Sequence, residues 1–395
     1  MFVPLRWPAI DAKVLPRIIS MDTTHIFLSP GFFGFKHLGS YSYFCHLERG
    51  LLRRLSDAGV DGRIHVVDVH PSASIRRRAL RLREAVDQLA SGAGSIHLIG
   101  HSTGGLDARL VASPSSNLDG TYRRPSWIRR LRTVTTLNTP HFGTPLATFF
   151  ATVSGHRLLE ALSALSVVAL TLGAPPLALT SSLLAAFGRL DALGLELRLL
   201  DRLTGDLVQL LDDASSADLR AFLRMTRSDQ GAILQLSPEA MDLFAAGIED
   251  DPNLHYRCVV AYAPRRTPRQ WAQAALSPWN HVSAPLFAAL HRITSRASTV
   301  YPCTPPDPVA TRRALTAALG HEPPEGACDG VVPLLSQVWG SIAWAGLADH
   351  LDVVGHFRDP SQTPPHHDWM HSGAGFDRPR FDQLLDAIAA PLLQP

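Results

Sequence analysis

One stretch constrains this chain more than any other: Ser95 to Gly105, reading S-I-H-L-I-G-H-S-T-G-G. Ile96, Leu98 and Ile99 read as a strand, Leu106, Ala108, Leu110 and Val111 read as a helix, and a Gly-x-Ser-x-Gly turn joins them. A strand that turns sharply into a helix must pass close to its own backbone, and Gly100 and Gly104 remove the side chains that would collide. A serine at the apex then carries its hydroxyl outward. Ser102 is the candidate nucleophile, against the plainer reading of a simple turn.

The rest of the chain repeats the same alternation. Residues 24–29, 63–69 and 131–138 read as strands, and the amphipathic stretches 41–58 and 74–90 read as helices between them. Strands separated by helices of this length pair in parallel through crossover connections, which places the chain in the α/β class. From about 145 to 250 the pattern is helical throughout, and the sheet resumes at 255–263. Residues 158–187 are strongly apolar, but Gly173, Pro175 and Pro176 divide them into pieces too short to cross a bilayer. The expected organisation is an α/β core from 1–144 and 251–395, with a helical cap or lid inserted at 145–250. Ordinary core helices are the alternative for that insertion. Residues 264–310, rich in Pro, Trp and Arg, resist assignment, and 310–319 and 379–390 read as helices.

With 395 residues, 46% of them hydrophobic, the chain is able to bury a sizeable core. A net charge of only +2 gives no electrostatic footprint for nucleic acid. The N-terminus has no basic stretch followed by an apolar one, so a cytoplasmic place is expected, or an exported one if a leader has been removed. Cys45, Cys258, Cys303 and Cys328 form no metal-binding spacing. Cys45 and Cys258 lie in apolar surroundings and read as buried thiols, and Cys303 and Cys328 as either a disulfide or two thiols.

A serine hydroxyl needs a base to take its proton and a third group to orient that base. Asp329, on the D-G-V-V turn, is the best carboxylate, and His350 follows an apolar segment at the next passage from strand to loop. His356 is the nearest rival base, and His141, His366, His367 and His371 are weaker ones. His101 adjoins the nucleophile, so its side chain is expected to point away from that of Ser102. An oxyanion needs two N–H donors. Thr103, opening the helix after Ser102, supplies one. Phe32, in the P-G-F-F-G-F loop after the first strand, supplies the other, since Pro30 has no N–H.

At these residues the chain resembles the bacterial true lipases of the α/β-hydrolase fold. S-P-G-F-F-G-F resembles their oxyanion loop, G-H-S-T-G-G-L-D-A-R their nucleophile turn, and T-L-N-T-P-H-F-G-T-P the strand and turn that follow. C-D-G-V-V and D-H-L-D-V-V look like their acid and histidine segments, and this order and spacing select Asp329 and His350 over their rivals. The helical insertion lies where that family carries its lid. Pro30 departs from the family's usual histidine. The resemblance also implies a structural calcium ion, for which Asp352 and Asp307 match two ligands, while His356 stands where a glutamine is expected. The cluster H-H-D-W-M-H at 366–371 reads as a solvated loop rather than a zinc site.

The expectation is therefore a serine carboxylester hydrolase, foremost a lipase acting on acylglycerols or other long-chain esters at a lipid–water interface. Its chemistry needs no cofactor. The alternatives are a short-chain or polyester esterase, an acyltransferase or thioesterase of the same fold, and a non-catalytic protein that shelters an apolar ligand. No nucleic-acid partner and no transmembrane span are expected.

Overall fold

The computed structural model describes residues 23–32, 43–120, 124–172, 176–187, 195–274, 278–296, 298–362, 365–366, 368 and 370–394. Six strands form its sheet: β1 (Thr24–Ser29), β2 (Gly62–Val66), β3 (Ile96–His101), β4 (Leu131–Leu137), β5 (His255–Tyr262) and β6 (Ser341–Leu347). They lie in the order β2-β1-β3-β4-β5-β6, and every neighbouring pair is parallel. β1 and β3 are buried along their whole length, as strands covered by helices on both faces must be.

The covering helices on the N-terminal side are α1 (Cys45–Asp57), α2 (Ile75–Leu89) and α3 (Thr103–Ala112). In α2 the buried residues Ile75, Ala79, Leu82 and Val86 fall on one helical face, and the Ser74 hydroxyl accepts from the Arg77 amide at 3.3 Å to cap the first turn. The chain runs from β1 outward to β2, then returns to place β3 on the other side of β1. That reversal opens a crevice beyond the carboxyl ends of β1 and β3, the usual place for a site in an open parallel sheet. Register fixes what meets there. Ser29 pairs with Gly100, so the loop after β1 lies beside the turn that carries Ser102.

Between β4 and β5 the chain forms α4 (Pro145–Phe150), α5 (Val153–Leu172), α6 (Leu177–Phe187), α7 (Leu195–Val208), α8 (Asp213–Ser228), α9 (Gly231–Gln235) and α10 (Pro238–Gly247). Helix α5 is apolar around most of its circumference and is buried accordingly, with Leu158, Leu162, Leu165 and Val168 all within 2% of complete burial. No helix among the described residues is long and apolar enough to cross a membrane. The residues 264–310 left open by the sequence contain α11 (Pro268–Ala274) and α12 (Pro278–Thr294). Helix α12 continues through Pro285, where a reading from propensity would stop it. Then come α13 (Pro308–Leu319) and, after β6, α14 (Arg378–Ala389). All four cysteines are free thiols; Cys258, Cys303 and Cys328 are buried and Cys45 is half-buried.

One charged network sits inside the helices between β4 and β5. Glu160 on α5 is 1% exposed and takes a bidentate contact from Arg227 of α8, at 2.7 and 2.9 Å, with Arg157 at 3.1 Å and His156 at 3.3 Å. Burial alone would raise its carboxyl pKa, but hydrogen bonds from His156 and Arg227 bring it down to about 2, against 4.5 for an ordinary glutamate. A depressed carboxyl contributes stability above the unfolded value and loses it as pH falls toward the folded one. Glu160→Gln should therefore cost about 3 kcal/mol in urea unfolding at neutral pH. That difference from wild type should shrink as pH drops below about 4.5. A difference that stayed constant down to pH of about 3 would contradict this account of the network.

Candidate active site

Ser102 stands between β3 and α3 with φ 55° and ψ −126°, a conformation that L-residues rarely adopt. Packing enforces it. A Cβ on Gly100 would strike the backbone of Gly104, and one on Gly104 would strike the carbonyl of Ser29. A Cβ on Gly31 would approach the Ser102 Cβ to 2.7 Å, which places the loop after β1 directly over the serine. The Ser102 amide donates to the Leu137 carbonyl at 2.8 Å, locking the turn to β4. The side chain is 6% exposed and faces a cavity.

Asp329 and His350 meet beside it. The Asp329 Oδ1 accepts from the amides of Val331 and Val332, at 2.8 and 2.7 Å, and Oδ2 faces His350 Nδ1 at 2.7 Å. With one oxygen saturated by backbone, the carboxylate presents the other in a fixed direction. Nδ1 donates to it, which leaves Nε2 of the imidazole as an acceptor. The His350 amide also donates to the Asp329 carbonyl at 3.1 Å, so the two loops are joined through main chain as well. The rival histidines are engaged elsewhere. His356 Nε2 faces the Tyr43 carbonyl at 3.0 Å, His141 faces Thr136, His366 faces the Gly355 carbonyl, and His371 faces Ser283. His367 lies outside the described residues. Ser102 and His350 line one cavity without a hydrogen bond between them among the described residues. Such bonds are often long without substrate and tighten when it binds.

Two further residues complete the frame, and sequence reasoning passed over them. His101 turns away from Ser102, as expected, but toward the base: its Nε2 donates to the His350 carbonyl at 2.8 Å. Its Nδ1 then accepts from the Tyr43 hydroxyl, 2.6 Å away, and that hydroxyl accepts from the Gly31 amide. Burial above all, and the nearness of His350, hold the His101 pKa well below the usual imidazole range, so the ring is neutral. One chain of hydrogen bonds thus ties the loop after β1 to the loop that carries His350. Only the position of Tyr43 at the start of a helix was visible beforehand, with nothing to pair it with a histidine so far along the chain.

The cavity over Ser102 is lined by Phe32, Leu146, Phe150, Leu159, Ile233 and Leu236 among others, and has a volume of about 50 Å³. Phe32 is therefore at the site, and Thr103 is the first residue of α3, where amides have no partner within the helix. Beneath the loop lies a fully buried ion pair. Arg78 of α2 donates to Asp107 of α3 at 2.8 Å and also to the Pro30 carbonyl, while Ser29 donates to Asp107 at 2.8 Å. Pro30, where the resembled family has histidine, is held through its carbonyl. Arg78→Met should leave Asp107 buried without its counter-charge and lower stability by about 3–5 kcal/mol in urea unfolding. An effect below about 1 kcal/mol would show that the pair does not hold the loop in place.

The two aspartates that the resemblance matches to calcium ligands have different surroundings. Asp307 caps α13, its Oδ1 accepting from the Ala310 amide at 2.9 Å in an exposed position. Asp352 is buried 3% exposed, accepts from the Asp349 amide at 2.8 Å, and has Asp349 and Asp368 as its charged neighbours. Burial, then those two carboxyls, pushes its pKa well above the ordinary range. An aspartate at a helix start is drawn to the free amides there. Among the described residues no group of three or more His, Cys, Asp or Glu is arranged to hold a metal ion. The chemistry below does not pass through a metal ion.

No protein-family model and no curated protein matches the chain. Among solved structures, lipase 1 from Pelosinus fermentans aligns over 95% of this chain and 100% of its own, with 15% identity and a TM-score of 0.50. EstA from Clostridium botulinum aligns over 96% and 92% with 18% identity and a TM-score of 0.47. Staphylococcus hyicus lipase aligns over 96% and 97% with 14% identity and a TM-score of 0.47. At these identities the likeness concerns fold. The parallel sheet, its flanking helices and the likeness to the Pelosinus structure together give this chain the α/β-hydrolase fold.

Proposed function

We propose that this protein is a serine carboxylester hydrolase in which Ser102, His350 and Asp329 form the catalytic triad. The observation that carries the reading is the His350 Nδ1 contact to Asp329, 2.7 Å long, beside a cavity that His350 shares with a strained, outward-facing serine. In this reading His350 Nε2 takes the Ser102 proton as Oγ attacks the acyl carbonyl. The imidazolium is stabilised by Asp329 and returns the proton to the leaving alcohol. Water then repeats the sequence on the acyl-enzyme, releasing the acid and restoring Ser102. The Phe32 and Thr103 amides stabilise the oxyanion in both steps. Tyr43 and His101 act as positioning residues, holding the oxyanion loop and the base in mutual register.

The apolar lining favours an acyl chain as ligand, and the lipase reading follows from it. The cavity is small, about 50 Å³, and open to solvent on one side, so in this reading α4, α5 or α9 shifts as a lid to admit a long acyl chain. The same small volume favours the second reading, a short-chain esterase with a rigid cap. Ser102→Ala should lower hydrolysis of p-nitrophenyl esters by about ten-thousand-fold or more while leaving the unfolding transition intact. Unchanged turnover would sink the triad assignment. With wild type, laurate and longer esters in emulsion should outrun butyrate for a lipase, and butyrate alone should react for the esterase. Tyr43→Phe should lower kcat for a soluble ester by about tenfold with KM nearly unchanged, since it leaves the buried His101 without its donor. A change in KM alone would contradict the positioning role.

A further inference from the structure

A second cavity, of about 470 Å³, shares no lining residue with the one over Ser102. Arg265 and Arg266, just after β5, form one wall, and Arg292 and Arg296, at the C-terminal end of α12, form another, with Trp271 and Ser372 between them. Among the described residues none of these four arginines forms an ion pair with a carboxylate. Arg265, Arg292 and Arg296 are exposed, and among the described residues no hydrogen bond occupies their guanidinium groups. Arg266 donates to the His371 carbonyl at 2.6 Å, its guanidinium lies 5.7 Å from the centre of the Trp271 ring, and its Nε is buried without a partner. The acid acting on it is Asp368, whose carboxylate also accepts from the Met370 amide and lies near His371.

Like charges gathered around one cavity repel, and Arg292, in the last turn of α12, and Arg296, two residues beyond its end, line the same cavity. The dipole of α12 accounts for one cation in its last turn. It does not account for four guanidinium groups converging from two elements. A multivalent anion would relieve the repulsion, and guanidinium forks match the oxygens of a phosphate. Trp271 and the Phe287 ring add an apolar wall for the organic part of such a ligand. We propose that this cavity binds a phosphate ester, through Arg266 at its base and Arg292 and Arg296 at its mouth. The site adjoins the acid turn: Phe287 lies against Gly330, and Thr294 donates to the Gly330 carbonyl at 2.9 Å. It extends the proposed function and does not depend on it.

The ester is either a free organic phosphate or a phospholipid headgroup, and binding measurements separate the two. Glycerol 1-phosphate is titrated calorimetrically into the full chain, with chloride at equal ionic strength as baseline. Co-sedimentation uses phosphatidylcholine vesicles with and without a diether phosphatidylglycerol, which has no ester bond to cleave. Arg292→Gln/Arg296→Gln, both exposed, should weaken binding tenfold or more and leave p-nitrophenyl butyrate hydrolysis within twofold of wild type. Arg53→Gln, on the exposed face of α1, should leave binding unchanged. Saturable binding of glycerol 1-phosphate that the double variant loses identifies a free ester. Loss confined to vesicles identifies a headgroup. The proposal is overturned if wild type binds neither, or if the double variant binds both as wild type does.

Discussion

Ser102 holds a left-handed backbone because Gly100 and Gly104 allow α3 to lie against the ends of β1 and β3. The rest of the molecule follows from that close approach. It brings the loop after β1 over the serine, with Gly31 almost in contact with the Ser102 Cβ. It also starts α3 directly after the serine, and it buries Asp107, which pairs with Arg78. The strain in one residue is thus maintained by packing and by a buried ion pair, neither of which touches a substrate. Replacing either glycine would insert a methyl group into backbone, where no side chain is free to yield.

Much of this was legible from local pattern. The strand residues at 24–29 and 131–137 and the helix at 75–89 announce themselves through continuous or periodic burial, because each faces the same core over its whole length. The turn at Ser102 was legible for a different reason: its two glycines are the mark of a backbone that must come close to itself. Beyond these elements sequence pattern weakened. Helix α12 contains Pro285 and borders a stretch of Trp and Arg, so no periodicity outweighed the breaker, and only tertiary packing makes it a helix. Residue chemistry alone left His356 beside His350 as a base, and family spacing separated them. In the fold, His356 faces the Tyr43 carbonyl while His350 faces a carboxylate. The link from Gly31 through Tyr43 and His101 to His350 joins segments far apart in sequence, and no local signal encodes such a contact. Asp307, matched to a metal ligand by the resemblance, caps the start of α13 in the fold, a local role that the resemblance did not indicate.

The helices between β4 and β5 do two things at once. Their apolar side chains line the cavity over Ser102, and α5 packs into the same hydrophobic core as the sheet. The Glu160 network ties α5 to α8 through a bidentate contact from Arg227. The arginine-lined cavity reaches the acid turn through Phe287, which lies against Gly330, and Thr294, which donates to the Gly330 carbonyl.

The central claim is that Ser102 is a nucleophile activated by His350. The most direct test is reaction with a fluorophosphonate, followed by mapping of the adduct by peptide mass spectrometry. The account predicts a single adduct on Ser102, formed at least a hundredfold more slowly in His350→Ala. An adduct on another serine, or labelling of Ser102 at the wild-type rate in His350→Ala, would contradict it.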